Sequence, residues 1–148
     1  MPYRTPYTLC AVLALALSCK VSDAAVARSR GRYRVQATAF DLHGITRAGT
    51  RPHGGIVSTD PAFLPLGTRI RVTGAGQFSG TYLVTDTGTK VVGRHIDIYV
   101  PNRTLAKQFG TKVVSVSVLN WGQGAVSPAA DRAAAKTAPN AVKSSGEK

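Results

Sequence analysis

Asp86 and Asp97 lie close together in the sequence, in a short stretch that also contains glycines. The globular part of the chain has few other acids and no glutamate. Its carboxylates are Asp41, Asp60, Asp86 and Asp97. Because solvated acids are usually abundant on a protein surface, the few that are kept in apolar, strand-like surroundings are candidates for chemistry.

Two carboxyls that lie near each other raise the pKa of one of them, so that it can donate a proton near neutral pH. Such a proton suits the cleavage of a glycosidic bond, whose leaving oxygen must be protonated. Asp97 alternates with Ile96 and Ile98, so it is expected to face away from the core, beside His95 and Tyr99. Asp97 is therefore a candidate proton donor.

The residues also leave a structural role open for each acid. Asp60 could cap the turn that begins at Pro61, and Asp86 could accept hydrogen bonds from amides of its own loop. Asp97 could pair with Arg94. Residue chemistry alone does not decide between these roles and catalysis.

The elements that would position these acids are predicted to be strands. Apolar and polar residues alternate over 33–40, 69–72, 95–100 and 114–119, and glycine-rich turns separate the runs. One helix is predicted, with Asn102 as N-cap, Leu105 and Phe109 on one face and Gly110 after its end. Short strands, tight turns and one short helix favour a small closed β-barrel.

Several motifs together resemble the 3D (Asp-Asp-Asp) domain family. They are Thr-Ala-Phe at 38–40, Asp-Pro at 60–61, Leu-Pro-Leu-Gly-Thr at 64–68, Asp-Thr-Gly at 86–88 and Ile-Asp-Ile-Tyr at 96–99. The resemblance covers residues 35–119. It implies a mainly β fold, a small six-stranded double-psi β-barrel related to rare lipoprotein A and to the barrel of membrane-bound lytic transglycosylase A.

The resemblance also implies an activity on peptidoglycan glycan strands. Asp97 matches the acid held to be catalytic in the lytic transglycosylases, and Asp86 and Asp60 match the two other signature acids, which shape the site. Thr38, Lys90 and Gly88 are the expected substrate contacts, and neither a cofactor nor a metal ion is expected. Thr89 departs from the family, which usually has glycine there, so the loop is expected to differ in shape.

Charge indicates which partners to expect. The chain has 148 residues and a formal net charge of +12, which favours polyanions. Anionic polymers of the cell envelope are therefore expected partners besides peptidoglycan. Nucleic acid is not expected, because no interleaved aromatic motif accompanies the basic residues.

The ends of the chain differ in composition from its centre. Residues 1–27 resemble a secretory signal peptide, followed by a basic tether at 28–32, the globular domain at 33–121 and an Ala/Lys/Ser/Pro-rich tail at 122–148 that is expected to be disordered. The apolar run of the leader is too short to span a bilayer. Both cysteines, Cys10 and Cys19, fall in the leader, and cleavage near Ala24 or Ala27 is favoured over lipid attachment at Cys19.

The sequence therefore predicts an exported protein that is periplasmic, associated with the outer membrane or secreted. Its favoured function is peptidoglycan cleavage. Two alternatives remain open, a barrel of the same fold that binds glycan without cutting it, and a basic protein that binds anionic polymers.

Overall fold

A computed structural model describes residues 31–41 and 43–140. The predicted signal peptide at 1–27, both cysteines, most of the basic tether and the last part of the tail lie outside the described residues. The described part of the chain has six strands and two α-helices. They are β1 (Arg32–Phe40), β2 (Ile56–Thr59), β3 (Arg69–Thr73), β4 (Gly80–Asp86), β5 (His95–Tyr99), α1 (Arg103–Phe109), β6 (Lys112–Asn120) and α2 (Pro128–Lys136).

The six strands close into a barrel in the order β1-β5-β2-β4-β3-β6. The pairs β1–β5 and β2–β4 are parallel, and the four other pairs are antiparallel. Alternate residues of each strand point inward and form one buried apolar core, which is the pattern that the sequence predicted. The predicted mainly β fold with a six-stranded barrel is confirmed.

Helix α1 lies where the sequence predicted it. The side chain of Asn102 accepts a hydrogen bond from the backbone N–H of Leu105, at 3.0 Å, and Gly110 follows the last helical residue. Phe109 is buried and makes an edge-to-face contact with Phe78, with ring centroids 5.3 Å apart. The helix thus covers part of the apolar core.

Helix α2 was not predicted, because only one helix was expected and the tail that contains it was expected to be disordered. Ser127 caps its first turn by accepting a hydrogen bond from the N–H of Ala130, and Ala134 and Ala138 are buried. The expectation of disorder was wrong for this segment, because its small side chains allow its backbone to lie close to the backbone of the barrel domain. A Cβ at Gly55 would collide with the carbonyl oxygen of Ala134.

A contact between a histidine and an aspartate joins α2 to the loop before β2. The Nε2 of His53 lies 3.0 Å from Oδ1 of Asp131, and both side chains are largely shielded from solvent. The segment thus packs through close backbone approach and a polar contact rather than through bulky apolar residues. Neither helix of the described residues has the length and apolar character that crossing a membrane requires.

Candidate functional site

A row of polar residues crosses four adjacent strands of the barrel. Thr38 on β1 is paired with Asp97 on β5, Asp97 with Ser58 on β2, and Ser58 with Asp86 on β4. Neighbouring strands lie about 4.8 Å apart, so two strand spacings, roughly 10 Å, separate the backbones of Asp97 and Asp86. Asp60 follows Ser58 by two residues, directly after β2.

Asp97 is half-buried and accepts a hydrogen bond from a neighbouring hydroxyl. Thr38 Oγ1 donates to Asp97 Oδ1 at 2.8 Å, and the same Oγ1 lies 2.9 Å from Nε2 of His95. Burial raises the pKa of the Asp97 carboxyl above 3.8, and the Thr38 hydroxyl and His95 oppose this rise. The pairing with Arg94 that the sequence left open is replaced by a contact of Arg94 with the ring of Tyr33, 5.9 Å from its centroid.

Asp60 lies in a surface turn, and its carboxylate accepts two backbone hydrogen bonds. Oδ1 accepts from the N–H of Ala62 at 2.8 Å, and Oδ2 accepts from the N–H of Gly93 at 2.7 Å. These two bonds lower the pKa of Asp60 below 3.8, with Gly93 the larger cause. The cap that the sequence left open is present, and the second bond ties the loop before β5 to this turn.

Asp86 holds a different loop. Its Oδ1 accepts from the N–H of Arg47 at 2.8 Å and from the N–H of Thr87 at 2.9 Å. A backbone hydrogen bond of 2.9 Å from Ala48 to Thr85 supports the same contact. The carboxylate of Asp86 therefore anchors the loop of residues 43–51 against the end of β4.

The loop between Asp86 and Asp97 contains the two other predicted substrate contacts. Gly88 begins a turn, in which its carbonyl accepts from the N–H of Val91 at 3.0 Å, and Lys90 is exposed at the tip. Within the described residues, neither makes a hydrogen bond to the polar row. Positive φ in this loop occurs at Gly93, at 67°, and not at Thr89, so the missing family glycine leaves no strained residue.

A groove of about 490 Å³ lies at the end of β5. Tyr99 lies two residues after Asp97 on the same face of β5, and its ring meets Phe40 edge to face, with centroids 5.4 Å apart. The groove is lined by His43, Gly44, Ile45, Arg51, Pro52 and Tyr99. Its size falls within the range of small-molecule sites. An aromatic wall, an exposed aliphatic side chain and a cation suit a sugar with polar substituents.

Two residues of the site were not predicted as site residues. Ser58 is buried and lies between Asp97 and Asp86 in the strand register, and it begins the segment 58–68 that resembles the family. His95 contacts Thr38, and the sequence did place it on the same face as Asp97, so the alternation of β5 could have identified it. In the part of the chain that the structure describes, no cluster of three or more His, Cys, Asp or Glu residues could hold a metal ion.

The family model described as the 3D domain matches residues 56–120. The resemblance inferred from the motifs is confirmed for this region, which contains all three signature aspartates. β1 and its Thr38 precede the match.

Two curated relatives come from Bacillus subtilis (strain 168). "Cell wall-binding protein YocH" is 35% identical over 99 residues, which is 67% of this chain and 31% of the relative. "Putative cell wall shaping protein YabE" is 32% identical over 69 residues, 47% of this chain and 16% of the relative. The chain thus spans a third or less of the length of these relatives.

Among solved structures, the chain is similar to an expansin of Clavibacter michiganensis in its apo form. The TM-score is 0.47 at 17% identity, and the similarity covers 61% of this chain and 51% of the expansin.

Proposed function

We propose that this chain is an exported enzyme that cleaves the glycan strands of peptidoglycan, as a lytic transglycosylase with Asp97 as its acid and base. The observation that carries the proposal is the setting of Asp97. Its half-buried carboxyl, with a pKa raised by burial, lies on the strand that leads into the groove. The match of residues 56–120 to the 3D domain supports the same assignment.

The reaction begins with a protonated Asp97. Its carboxyl donates the proton to the oxygen between N-acetylmuramic acid and N-acetylglucosamine, and the bond from that oxygen to the muramoyl C1 breaks. The resulting carboxylate then takes the proton of the muramoyl C6 hydroxyl, whose oxygen bonds to C1. The products are a free N-acetylglucosamine hydroxyl and a 1,6-anhydro end. Asp97 gives up a proton in the first step and takes one in the second. Its carboxyl must therefore have a pKa near the working pH.

The two other signature acids position the loops around this chemistry. Asp86 holds the loop of residues 43–51, which forms much of the groove wall, and Asp60 holds the loop before β5 through Gly93. Lys90 and Gly88, on that same loop, are proposed to contact the glycan. Thr38 is proposed to act at the site through its hydrogen bond to Asp97.

A second candidate function is binding to peptidoglycan without cleavage. The name of the relative YocH, a cell wall-binding protein, favours it. A groove with an aromatic wall and an overall charge of +12 would also serve a binding protein. The two candidates share the site and differ in whether Asp97 transfers a proton.

One experiment distinguishes cleavage from binding. The protein from Arg28 to Lys148 is incubated with purified sacculi, and the soluble products are analysed by mass. We expect anhydromuropeptides with the wild type and none with Asp97→Asn. Asp131→Asn, which removes an acid on α2, is the matched control and should release the same products as the wild type.

The other outcomes are equally informative. Retention on sacculi without release supports the binding protein and contradicts the enzyme. Products with ordinary reducing ends indicate hydrolysis instead of transglycosylation. Binding that moderate salt abolishes, and that is indifferent to glycan, indicates a protein for anionic polymers.

A further inference from the structure

Three polar side chains form a continuous hydrogen-bonded chain on the outside of the barrel. The Thr38 hydroxyl oxygen lies between the other two, 2.8 Å from Asp97 Oδ1 and 2.9 Å from His95 Nε2. The parallel register of β1 and β5 explains the arrangement, because it sets Thr38 beside Asp97, two residues along from His95.

The number of hydrogens fixes the direction of this chain. A hydroxyl has one hydrogen and can accept others, and an ionised carboxylate can only accept. When Asp97 is ionised, the hydrogen of Thr38 is therefore directed at its carboxylate. The contact with His95 is then a hydrogen bond only if Nε2 carries a hydrogen and donates it to the Thr38 oxygen.

We propose that His95 is a positioning residue for Asp97, whose Nε2–H holds the Thr38 hydroxyl with its hydrogen aimed at the Asp97 carboxylate. The inference deepens the proposed function, and its consequence for catalysis rests on that function. The hydrogen-bond direction itself stands on the three side chains and can be measured separately.

A charge on His95 adds a second effect. Positive charge on the imidazole stabilises the nearby carboxylate and lowers the pKa of Asp97, against the rise caused by burial. Asp97 thus retains its proton better when His95 is neutral than when it is charged. One residue both orients the hydrogen bond to Asp97 and adjusts its proton affinity.

Other charged groups around the site lie on different elements. Arg34 precedes Thr38 on the same face of β1, Lys90 and Arg94 belong to the loop before β5, and Asp86 ends β4, two strands from Asp97. The influences on the Asp97 carboxyl are burial, the Thr38 hydroxyl and His95. His95 is therefore the histidine whose removal should change the titration of Asp97.

Nuclear magnetic resonance of the purified protein tests the hydrogen-bond direction without any substrate. The ring nitrogen shifts of His95, at a pH where it is neutral, should show the hydrogen on Nε2. Thr38→Val should leave a mixture of the two neutral forms, because the acceptor is lost. A wild-type His95 with its hydrogen on Nδ1 would overturn the proposal.

The carboxyl carbon shift of Asp97 tests the charge effect. In His95→Gln, which removes the charge but can still donate a hydrogen bond, the titration midpoint of Asp97 should move to higher pH. His53→Gln is the matched control, because His53 is paired with Asp131 instead, and it should leave that midpoint unchanged. An unchanged midpoint in His95→Gln contradicts the coupling.

Product release from sacculi then tests the catalytic consequence. His95→Phe should slow it by about tenfold, a part of the 10²- to 10⁴-fold effect of general acid–base catalysis. His95→Gln should recover most of the rate, with the pH profile moved to higher pH. Full activity of His95→Phe contradicts the positioning role. If the wild type releases no products, the proposed function is refuted. The hydrogen-bond direction measured by nuclear magnetic resonance would still hold.

Discussion

Asp97 and Asp60 belong to the same three-aspartate signature, but their carboxyls lie in opposite surroundings. Asp97 is half-buried on a strand and receives a hydrogen bond from one hydroxyl. Asp60 is in a surface turn and receives two from backbone amides. The pKa of Asp97 is raised, and that of Asp60 is lowered. Environments that move two acids apart in this way separate a proton donor from a permanent anion.

The difference follows from where each residue lies in the chain. Backbone N–H groups within a barrel strand are used by the sheet, so a carboxyl there depends on side chains for hydrogen bonds. Turns leave amides unused, and a carboxylate can collect them. Asp86, at the end of β4, resembles Asp60 in this respect, because its Oδ1 accepts from two loop amides.

The largest expected effect is a difference in the rate of product release between variants of Asp97 and of Asp60. Asp97→Asn should lower the release of anhydromuropeptides at least about 100-fold, because the proposed proton donor is lost. Asp60→Asn should retain most of the rate, since an amide oxygen can still accept a hydrogen bond from Gly93 or Ala62. Equal losses in the two variants would remove the distinction between them.

Asp86 should respond as an anchor. Asp86→Ala leaves the amides of Arg47 and Thr87 without their acceptor, and we expect a loss of about 1 kcal/mol in the free energy of unfolding, measured in urea. Binding to sacculi should also weaken, because the groove wall is released. Asp86→Asn keeps an acceptor oxygen and should lie close to the wild type in both measurements. A variant Asp86→Asn as inactive as Asp97→Asn would instead assign Asp86 to the chemistry.

Substitution of Thr38 should affect Asp97, on the strand, and leave Asp60, in the turn, unchanged. Thr38→Val removes the donor to Asp97, so the pKa of Asp97 should rise further and the rate should fall by about tenfold, a part of the 10²- to 10⁴-fold contribution of acid–base catalysis. Thr38→Ser preserves the hydroxyl and should behave like the wild type. The carboxyl shift of Asp60 should be the same in both variants, and a change there would show that the two regions are coupled.

The smallest expected effect is the pH dependence of stability. A carboxyl with a raised pKa binds its proton more tightly in the folded protein, so Asp97 should make the free energy of unfolding fall as pH rises from 3.8 through its raised pKa. Asp60 has the opposite sign, and its contribution should be lost as pH falls from 3.8 through its lowered pKa.

Urea unfolding of Asp97→Asn and Asp60→Asn at pH values on both sides of 3.8 measures each contribution. Asp97→Asn should abolish the decline above 3.8, and Asp60→Asn should weaken the loss below it. Curves parallel to the wild type in both variants would contradict the assigned shifts.

Local patterns in the sequence predicted most elements of the barrel, although the alternating runs did not include β2 or β4. Alternation predicted the strands around Val35 and Ile96, and the cap at Asn102 predicted α1. The site required more, because Thr38 and Asp97 are 59 residues apart and meet only through the parallel pairing of β1 with β5. Local patterns contain no information on which strands become neighbours.

The role of Asp60 and the second helix were beyond such patterns for other reasons. Asp60 followed by Pro61 is compatible with a cap or with catalysis, and no local pattern predicts the hydrogen bond that its carboxylate accepts from Gly93, 33 residues away. The segment of α2 has a composition typical of disorder. It is ordered through contacts with the barrel that depend on the absence of a side chain at Gly55.

The contact between Gly55 and α2 determines the shortest part of the chain that should fold when it is moved into another protein. A chain that ends at the last signature motif, or at the end of β6, would lack α2. Gly55 would then be uncovered, and His53 would lose its contact with Asp131. A graft of this barrel onto a carrier protein, or a library of shortened versions, should therefore retain the chain through residue 140.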